Sequence, residues 1–118
     1  MKAIFHYAVS PGLQRLLDAA AIAAMKPGAV LVNTAHGGLV DEAALVAALR
    51  DGRLRAAGLD VFAEEPVAAD NPLLALDNVV LAPHVAWLTP ETFDRSLGIA
   101  VENSRRLKDG DALVHRVV

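Results

Sequence analysis

The chain contains no cysteine, which excludes a disulfide framework and thiolate chemistry. Aromatic residues are scarce: one Trp, one Tyr and three Phe in 118 residues. Any core must therefore be aliphatic, built from Ala, Val and Leu. No apolar run approaches the roughly 20 residues that a membrane-spanning helix needs. The N-terminus has one Lys and a short apolar stretch broken by His6, and does not read as a secretory signal. Excess positive charge is absent too. A formal charge of −3 offers nothing to attract nucleic acid or an anionic membrane. The expectation is a cytoplasmic chain with neither of those as a partner. The four His lack acidic or Cys partners at ligand spacing, so no metal site is expected. What is abundant is apolar: 54% of residues, too many for a disordered chain. The length suits one domain or a piece of one.

Two kinds of pattern alternate along the chain. Lys2 to Val9, with Ile4, Phe5, Tyr7 and Val9, reads as a strand. Ser10 and Pro11 open a short helical stretch around Leu13 to Leu17. Asp18 caps the next turns, with Ile22 and Met25 facing inward, and Lys26-Pro27-Gly28 stops them. Ala29 to Asn33 is a second strand. Asp41 caps a helix whose inward face is Ala44, Leu45, Ala48 and Leu49, with Gly52 as its left-handed stop. Arg55 to Phe62 reads as a third strand and Val79 to Pro83 as a fourth, joined by a loop from Glu64 to about Asn78. Thr89-Pro90-Glu91 combines a capping hydroxyl, a proline at the first helical position and a first-turn acid. That helix should run to Asp109, with Phe93, Leu97, Ala100, Val101 and Leu107 on one stripe, and end at Gly110. Alternating strands and helices with continuous apolar strands give an α/β fold: a parallel sheet covered by helices.

Ligand groups in such sheets gather at the carboxyl ends of the strands. The polar residues there are Asn33-Thr34-Ala35-His36, then Asp60 with Glu64-Glu65, then His84. A His and a Glu at neighbouring strand ends form an acid–base pair. The imidazole moves a proton near neutral pH, and the carboxylate orients it and raises its pKa. Plainer roles exist for each residue. Glu64 and Glu65 suit solvated loop acids, His84 a structural histidine, and Asn33 and Asp60 strand-end caps.

Three longer segments carry more information: "MKPGAVLVNTAHGGLVDEAALVAAL", "AAGLDVFAEEP" and "LAPHVAWLTPE". In this order and spacing the chain, from His6 to about Leu107, resembles the D-isomer-specific 2-hydroxyacid dehydrogenases. "DNPLL" and "PHVAW" are most similar to the glycerate dehydrogenase and hydroxypyruvate reductase members. The resemblance implies a catalytic set of His84, Glu65 and His36. His84 is the general acid in reduction and the general base in oxidation, and Glu65 pairs with it. His36 stands at the carboxylate-binding position. It also implies a cofactor, NAD or NADP, with Thr34 and Ala35 lining the nicotinamide pocket, Asn33 beneath it and Asp60 near the carboxamide. The substrate implied is a small 2-hydroxy or 2-oxo acid.

Three departures qualify what the resemblance implies. The family's usual Asn-x-x-Arg-Gly is here Asn33-Thr34-Ala35-His36-Gly37. A histidine has shorter reach than arginine and no bidentate fork, and unlike a guanidinium its charge is not permanent. The family's "HxPLTPET" becomes His6-Tyr7-Ala8-Val9-Ser10-Pro11-Gly12-Leu13, which alters the cofactor wall. No Gly-x-Gly-x-x-Gly occurs, the turn that seats a pyrophosphate on a helix N-terminus. Residues 1–118 are accordingly expected to be the second half of a Rossmann-type domain of about four parallel strands, without the glycine-rich half or the substrate domain. The expected function is hydride transfer between NAD(P) and a 2-hydroxy or 2-oxo acid in a complete form of the protein. From another class, the alternative is a non-catalytic half-domain or a partner-binding, self-associating module. A homodimer is expected, because the first strand would present an unpaired apolar edge.

Overall fold

The computed structural model describes residues 2–5 and 15–116. The chain divides into two compact units, Met1–Val85 and Ala86–Val118. The first contains β1 (Lys2–Phe5), α1 (Ala19–Ala24), β2 (Ala29–Asn33), α2 (Glu42–Arg50), β3 (Leu54–Leu59) and β4 (Val79–Leu81). Short 3-10 turns at Gly37–Leu39 and Pro72–Ala75 complete it. The second unit holds α3 (Pro90–Asp109) and the tail that follows.

All four strands lie parallel in one sheet, in the order β1-β2-β3-β4. The register is level at the carboxyl ends: Phe5 stands opposite Asn33, Asn33 opposite Leu59, and Leu59 opposite Leu81. Whatever follows each strand therefore emerges along one edge. The expected α/β class is what forms, from a core that is almost wholly aliphatic. Ile22, Leu31, Leu39, Leu45, Leu54 and Leu73 are fully buried, and Phe62 joins them from the loop after β3. Each such side chain contributes about 1.5–3 kcal/mol of burial free energy.

Local chemistry sets the element ends. Asp18 caps α1 by accepting from Ala21 N–H at 2.8 Å, and Asp41 caps α2 by accepting from Ala44 N–H at 3.0 Å. Gly52, with φ of 71°, takes the left-handed turn after α2 that a side chain would disfavour. The inward face of α2 is Leu45, Val46, Ala48 and Leu49; Ala44 is only half-buried.

Several boundaries differ from expectation. The first strand is seen as Lys2–Phe5; its expected continuation to Val9, and the start of the helical stretch at Ser10, lie outside the described residues. Arg15 has a left-handed φ of 54°, which no helix tolerates. Leu17 is extended instead and bridges in parallel to Val40. β3 begins at Leu54 and carries a bulge, since Ala29 pairs with Leu54 and Val30 with Ala56. The extra residue, Arg55, is exposed, and the bulge puts both Leu54 and Ala57 in the core. β3 also stops at Leu59, because the backbone from Asp60 onward turns into the loop that carries Glu65. β4 ends at Leu81, two residues before a proline that has no N–H for the ladder.

In the second unit, Thr89 caps α3 by accepting from Thr92 N–H at 3.2 Å. Gly110 ends it with φ of 77°. The expected stripe is present, and Phe93, Leu97, Val101 and Leu107 on it are all exposed. The tail folds back onto the helix, where Asn103 bonds both N–H and C=O of Val114. Arg105 and Arg106 both pair with Glu102, so their charges serve the helix itself.

Candidate active site

The connections that follow β2, β3 and β4 leave the level carboxyl edge of the sheet, and side chains of Asn33, Asp60 and Glu65 hold them there. After β2, Asn33 is buried, at 1% exposure. Its Nδ2 donates to His36 O at 2.9 Å, and its Oδ1 accepts from Ala35 N–H at 3.1 Å. These bonds lock the tight turn Asn33–His36 and leave Thr34 and Ala35 half-buried upon it. After β3, the N–H of Asp60 donates to Asn33 O at 3.0 Å. Its Oδ1 accepts from Val85 N–H at 2.8 Å. Asp60 is thus a buried tie from the end of β3 to the segment that carries His84.

Glu65 sits on the loop that follows. Its Oε1 accepts from Phe62 N–H at 3.0 Å, and its Oε2 lies 2.8 Å from Nδ1 of His84. The expected pair is therefore in contact. Each group shifts the other. The hydrogen bond from His84, followed by that from Phe62 N–H, lowers the Glu65 pKa below its ordinary value. The hydrogen bond to Glu65 raises that of His84. Both side chains remain open to solvent, at 37% and 49% exposure. His84 itself holds a left-handed φ of 57°, a conformation uncommon for residues other than glycine, though histidine adopts it more readily than most.

His36 is exposed at the end of the first turn. It lines a hollow of about 290 Å³ together with Gly37, Gly38, Phe62, Glu65 and His84. The structure thus brings His36, Glu65 and His84 to one concavity. A second, apolar hollow of about 470 Å³ adjoins Glu65 and His84 and is walled by Phe62, Val67, Leu81 and Pro83. Glu64 points to solvent and takes no part. Asn33, given a place beneath the nicotinamide, spends both polar ends of its side chain on its own turn. His6 lies outside the described residues, and His115 is exposed. Among the described residues no group of His, Cys, Asp and Glu could hold a metal ion.

Two features of this edge have no counterpart in the motif-level expectations. Gly37 presses its backbone against the Phe62–Ala63 peptide. Glu42 of α2 reaches out of the helix to accept from Ala63 N–H at 2.5 Å. The Gly37-Gly38 doublet is the sequence signal for the first. Glu42 looks only like a first-turn acid.

Residues 3–86 match the model of the D-isomer specific 2-hydroxyacid dehydrogenase NAD binding domain. The chain belongs to this family. The match takes in every residue of the edge just described. Among curated relatives, the (S)-sulfolactate dehydrogenase of Chromohalobacter salexigens is 48% identical over 101 residues, which are 86% of this chain and 33% of that protein. Glyoxylate/hydroxypyruvate reductase B of Yersinia enterocolitica is 51% identical over 82 residues, 70% of this chain and 25% of that one. Among solved structures, a family member from Xanthobacter autotrophicus Py2 in complex with NADPH and MES superposes with a TM-score of 0.86 at 38% identity. That superposition covers 99% of this chain and 48% of the other. The chain thus spans a third or less of the two curated relatives, and its sheet is part of a Rossmann-type NAD(P)-binding domain.

The chemistry of this edge suits one end of such a cofactor, the nicotinamide, rather than its phosphates. A nicotinamide ring would be held by the turn at Thr34 and Ala35, half-buried residues with small side chains, beside the buried Asp60 whose N–H bonds Asn33 O. A dinucleotide's phosphates find no glycine-rich turn in this sequence.

Proposed function

We propose that the chain supplies the nicotinamide end and the proton-transfer pair of an NAD(P)-dependent dehydrogenase acting on a small 2-hydroxy or 2-oxo acid. The reading rests above all on the 2.8 Å contact between His84 Nδ1 and Glu65 Oε2 at the carboxyl edge of a parallel sheet. Bound NAD(P) supplies or accepts the hydride at carbon 2 of the acid. With Nδ1 engaged by Glu65, Nε2 of His84 is the ring nitrogen left to meet a substrate in the hollow that His84 lines. It gives a proton to the carbonyl oxygen in reduction and takes one from the hydroxyl in oxidation. Glu65 fixes the tautomer and stabilises the imidazolium. His36, on the same hollow, meets the substrate carboxylate as a single donor, a weaker grip than a guanidinium fork. Thr34, Ala35 and Asp60 line the nicotinamide end, with Asn33 holding their turn from beneath.

On this reading residues 1–118 are one part of a nicotinamide-binding domain, with the phosphate turn and the substrate domain supplied from elsewhere in a complete enzyme. The charge of −3 and the absence of cysteine suit a cytoplasmic protein that binds neither nucleic acid nor membrane. Among the described residues no helix is long and apolar enough to cross a membrane. We further expect a homodimer, since β1 ends the order of strands in the sheet and is apolar in sequence. The same edge favours a second reading, a non-catalytic, self-associating module.

An NMR titration of the 118-residue chain with NADH tests the proposal. Weak binding, with shifts centred on the amides of Thr34, Ala35 and Asp60, supports it. Shifts confined to other parts of the chain would sink it. Low-micromolar affinity would overturn the view that the phosphate-holding part lies elsewhere. Turnover of glyoxylate, hydroxypyruvate or pyruvate by this chain alone should stay below detection.

A further inference from the structure

We propose that Glu42 is a positioning residue: its carboxylate holds the loop 62–65 in the conformation in which Glu65 meets His84. The inference deepens the proposed function and rests on it for any consequence in turnover.

Glu42 is the first residue of α2, directly after the cap Asp41. An acid at that position is ordinarily explained by the helix dipole, which asks only for negative charge near the helix start. Glu42 does more. Its Oε1 accepts from Ala63 N–H at 2.5 Å, 21 residues away, and its Oε2 accepts from Asn71 Nδ2–H at 3.3 Å. The side chain is half-buried between those two partners. Asn71 is itself fixed, since its Oδ1 accepts from Leu73 N–H at 2.9 Å and caps the Pro72–Ala75 turn. One carboxylate therefore joins α2 to both ends of the segment that carries Glu65.

The held peptide adjoins the one that bonds Glu65 of the dyad. The loop closes on itself through Phe62 N–H to Glu65 Oε1. Phe62 N–H belongs to the peptide immediately before the held Phe62–Ala63 peptide, so a shift of the held peptide changes the course of the chain on to Glu65 and with it the aim of Oε2 at His84. The peptide is held from two directions, by contact with the Gly37 backbone and by the hydrogen bond to Glu42. His36, Gly37 and Glu42 all lie in residues 36–42, which run from the turn after β2 to the first residue of α2. That stretch thus sets the place of His36 and of Glu65 at once. The charged groups around the clamp are Arg15 and Asp41, which share a hollow with Glu42, while Asp60 and Glu65 act on His84.

Reach and charge can be separated by substitution. Glu42→Gln keeps the length and an acceptor oxygen for Ala63 but gives up the charge and the Asn71 contact. Glu42→Asp keeps the charge at the start of α2 but is one methylene too short. Hydrogen exchange at the Ala63 amide and the NMR titration midpoint of the His84 imidazole are read in both variants of the 118-residue chain, with the Leu45 and Leu49 amides reporting α2. Glu42→Asp should speed exchange at Ala63 by about tenfold or more, the loss of one charge-assisted hydrogen bond. It should also move the His84 midpoint down, toward that of a free imidazole. Glu42→Gln should recover both toward wild type. The opposite order, with the Gln variant disturbed and the Asp variant normal, overturns the proposal in favour of a helix-charge role. An unmoved His84 midpoint in a folded Asp variant with fast Ala63 exchange overturns it too. If the Asp variant fails to fold, a lowered His84 midpoint in the Gln variant still refutes the clamp, and a wild-type midpoint there supports it. Neither readout involves turnover, so a failed dehydrogenase assay would count against the proposed function alone.

Discussion

A methyl carbon placed on Gly37 would lie 1.8 Å from the carbonyl oxygen of Phe62. The two backbones meet with no room for a side chain, and neither can yield as a flexible side chain would. Gly37→Ala should therefore cost about 2 kcal/mol or more of stability. At the adjacent Gly38, an added Cβ meets nothing within 4 Å, and Gly38→Ala should stay within about 0.5 kcal/mol of wild type. Thermal unfolding of both variants checks this. Equal midpoints would mean that the two connections part without cost.

The dyad predicts a pH window. Glu65 has its pKa lowered in the fold by the hydrogen bond from His84, so its contribution is present above its ordinary value of 4.5 and fades as pH falls through the lowered one. His84 has its pKa raised by Glu65, so its contribution is complete below its ordinary 6.5 and is lost as pH rises through the raised value. The pair should stabilise the fold most between pH 4.5 and 6.5. Both groups are open to solvent, so the effect should be small and sensitive to salt. NMR titration of the His84 imidazole should give a midpoint above that of a free histidine, and Glu65→Gln should bring it down. A midpoint indifferent to that substitution would dissolve the dyad.

In a complete enzyme, His84→Ala should lower turnover by about 10²–10⁴-fold, the usual contribution of a general acid–base group, while leaving cofactor affinity nearly unchanged. Normal turnover in that variant would remove His84 from proton transfer. His36→Arg should lower KM for the acid if the position binds a carboxylate, because a fork of donors replaces one. A rise in KM would indicate a hollow shaped around histidine.

Association is expected through β1, which stands at the margin of the described sheet. Its sequence, Lys-Ala-Ile-Phe, has no proline and only one charge to discourage pairing with another strand. Sedimentation at micromolar concentration should show a dimer that added salt does not dissolve. A folded, monodisperse monomer would mean that the edge is already covered.

The elements were legible where local chemistry is self-sufficient. Asp41 and Thr89 announce their helices, and Ala29–Asn33 is a strand by composition alone. The meeting of Glu65 with His84 was legible from motif resemblance, because two parallel strands with level ends place their following residues together. What lay beyond reach was tertiary. The bulge at Arg55 depends on the partner strand, and the extended course of Leu17 depends on Val40, distant in the chain. Glu42 reads as a helix-start acid until the loop it grips is in place. The local bonds of Asn33 to Ala35 N–H and His36 O likewise form only once the turn after β2 is closed.

His84 keeps its left-handed backbone against the ordinary preference of an L-residue. Of the common amino acids, glycine would sit there without strain, and an exposed ion pair returns little stability in exchange. Selection for heat resistance alone would thus be expected to erode the imidazole, whereas selection for chemistry would retain it. The residue at position 84 is in this sense a record of which pressure has governed a given descendant of the chain.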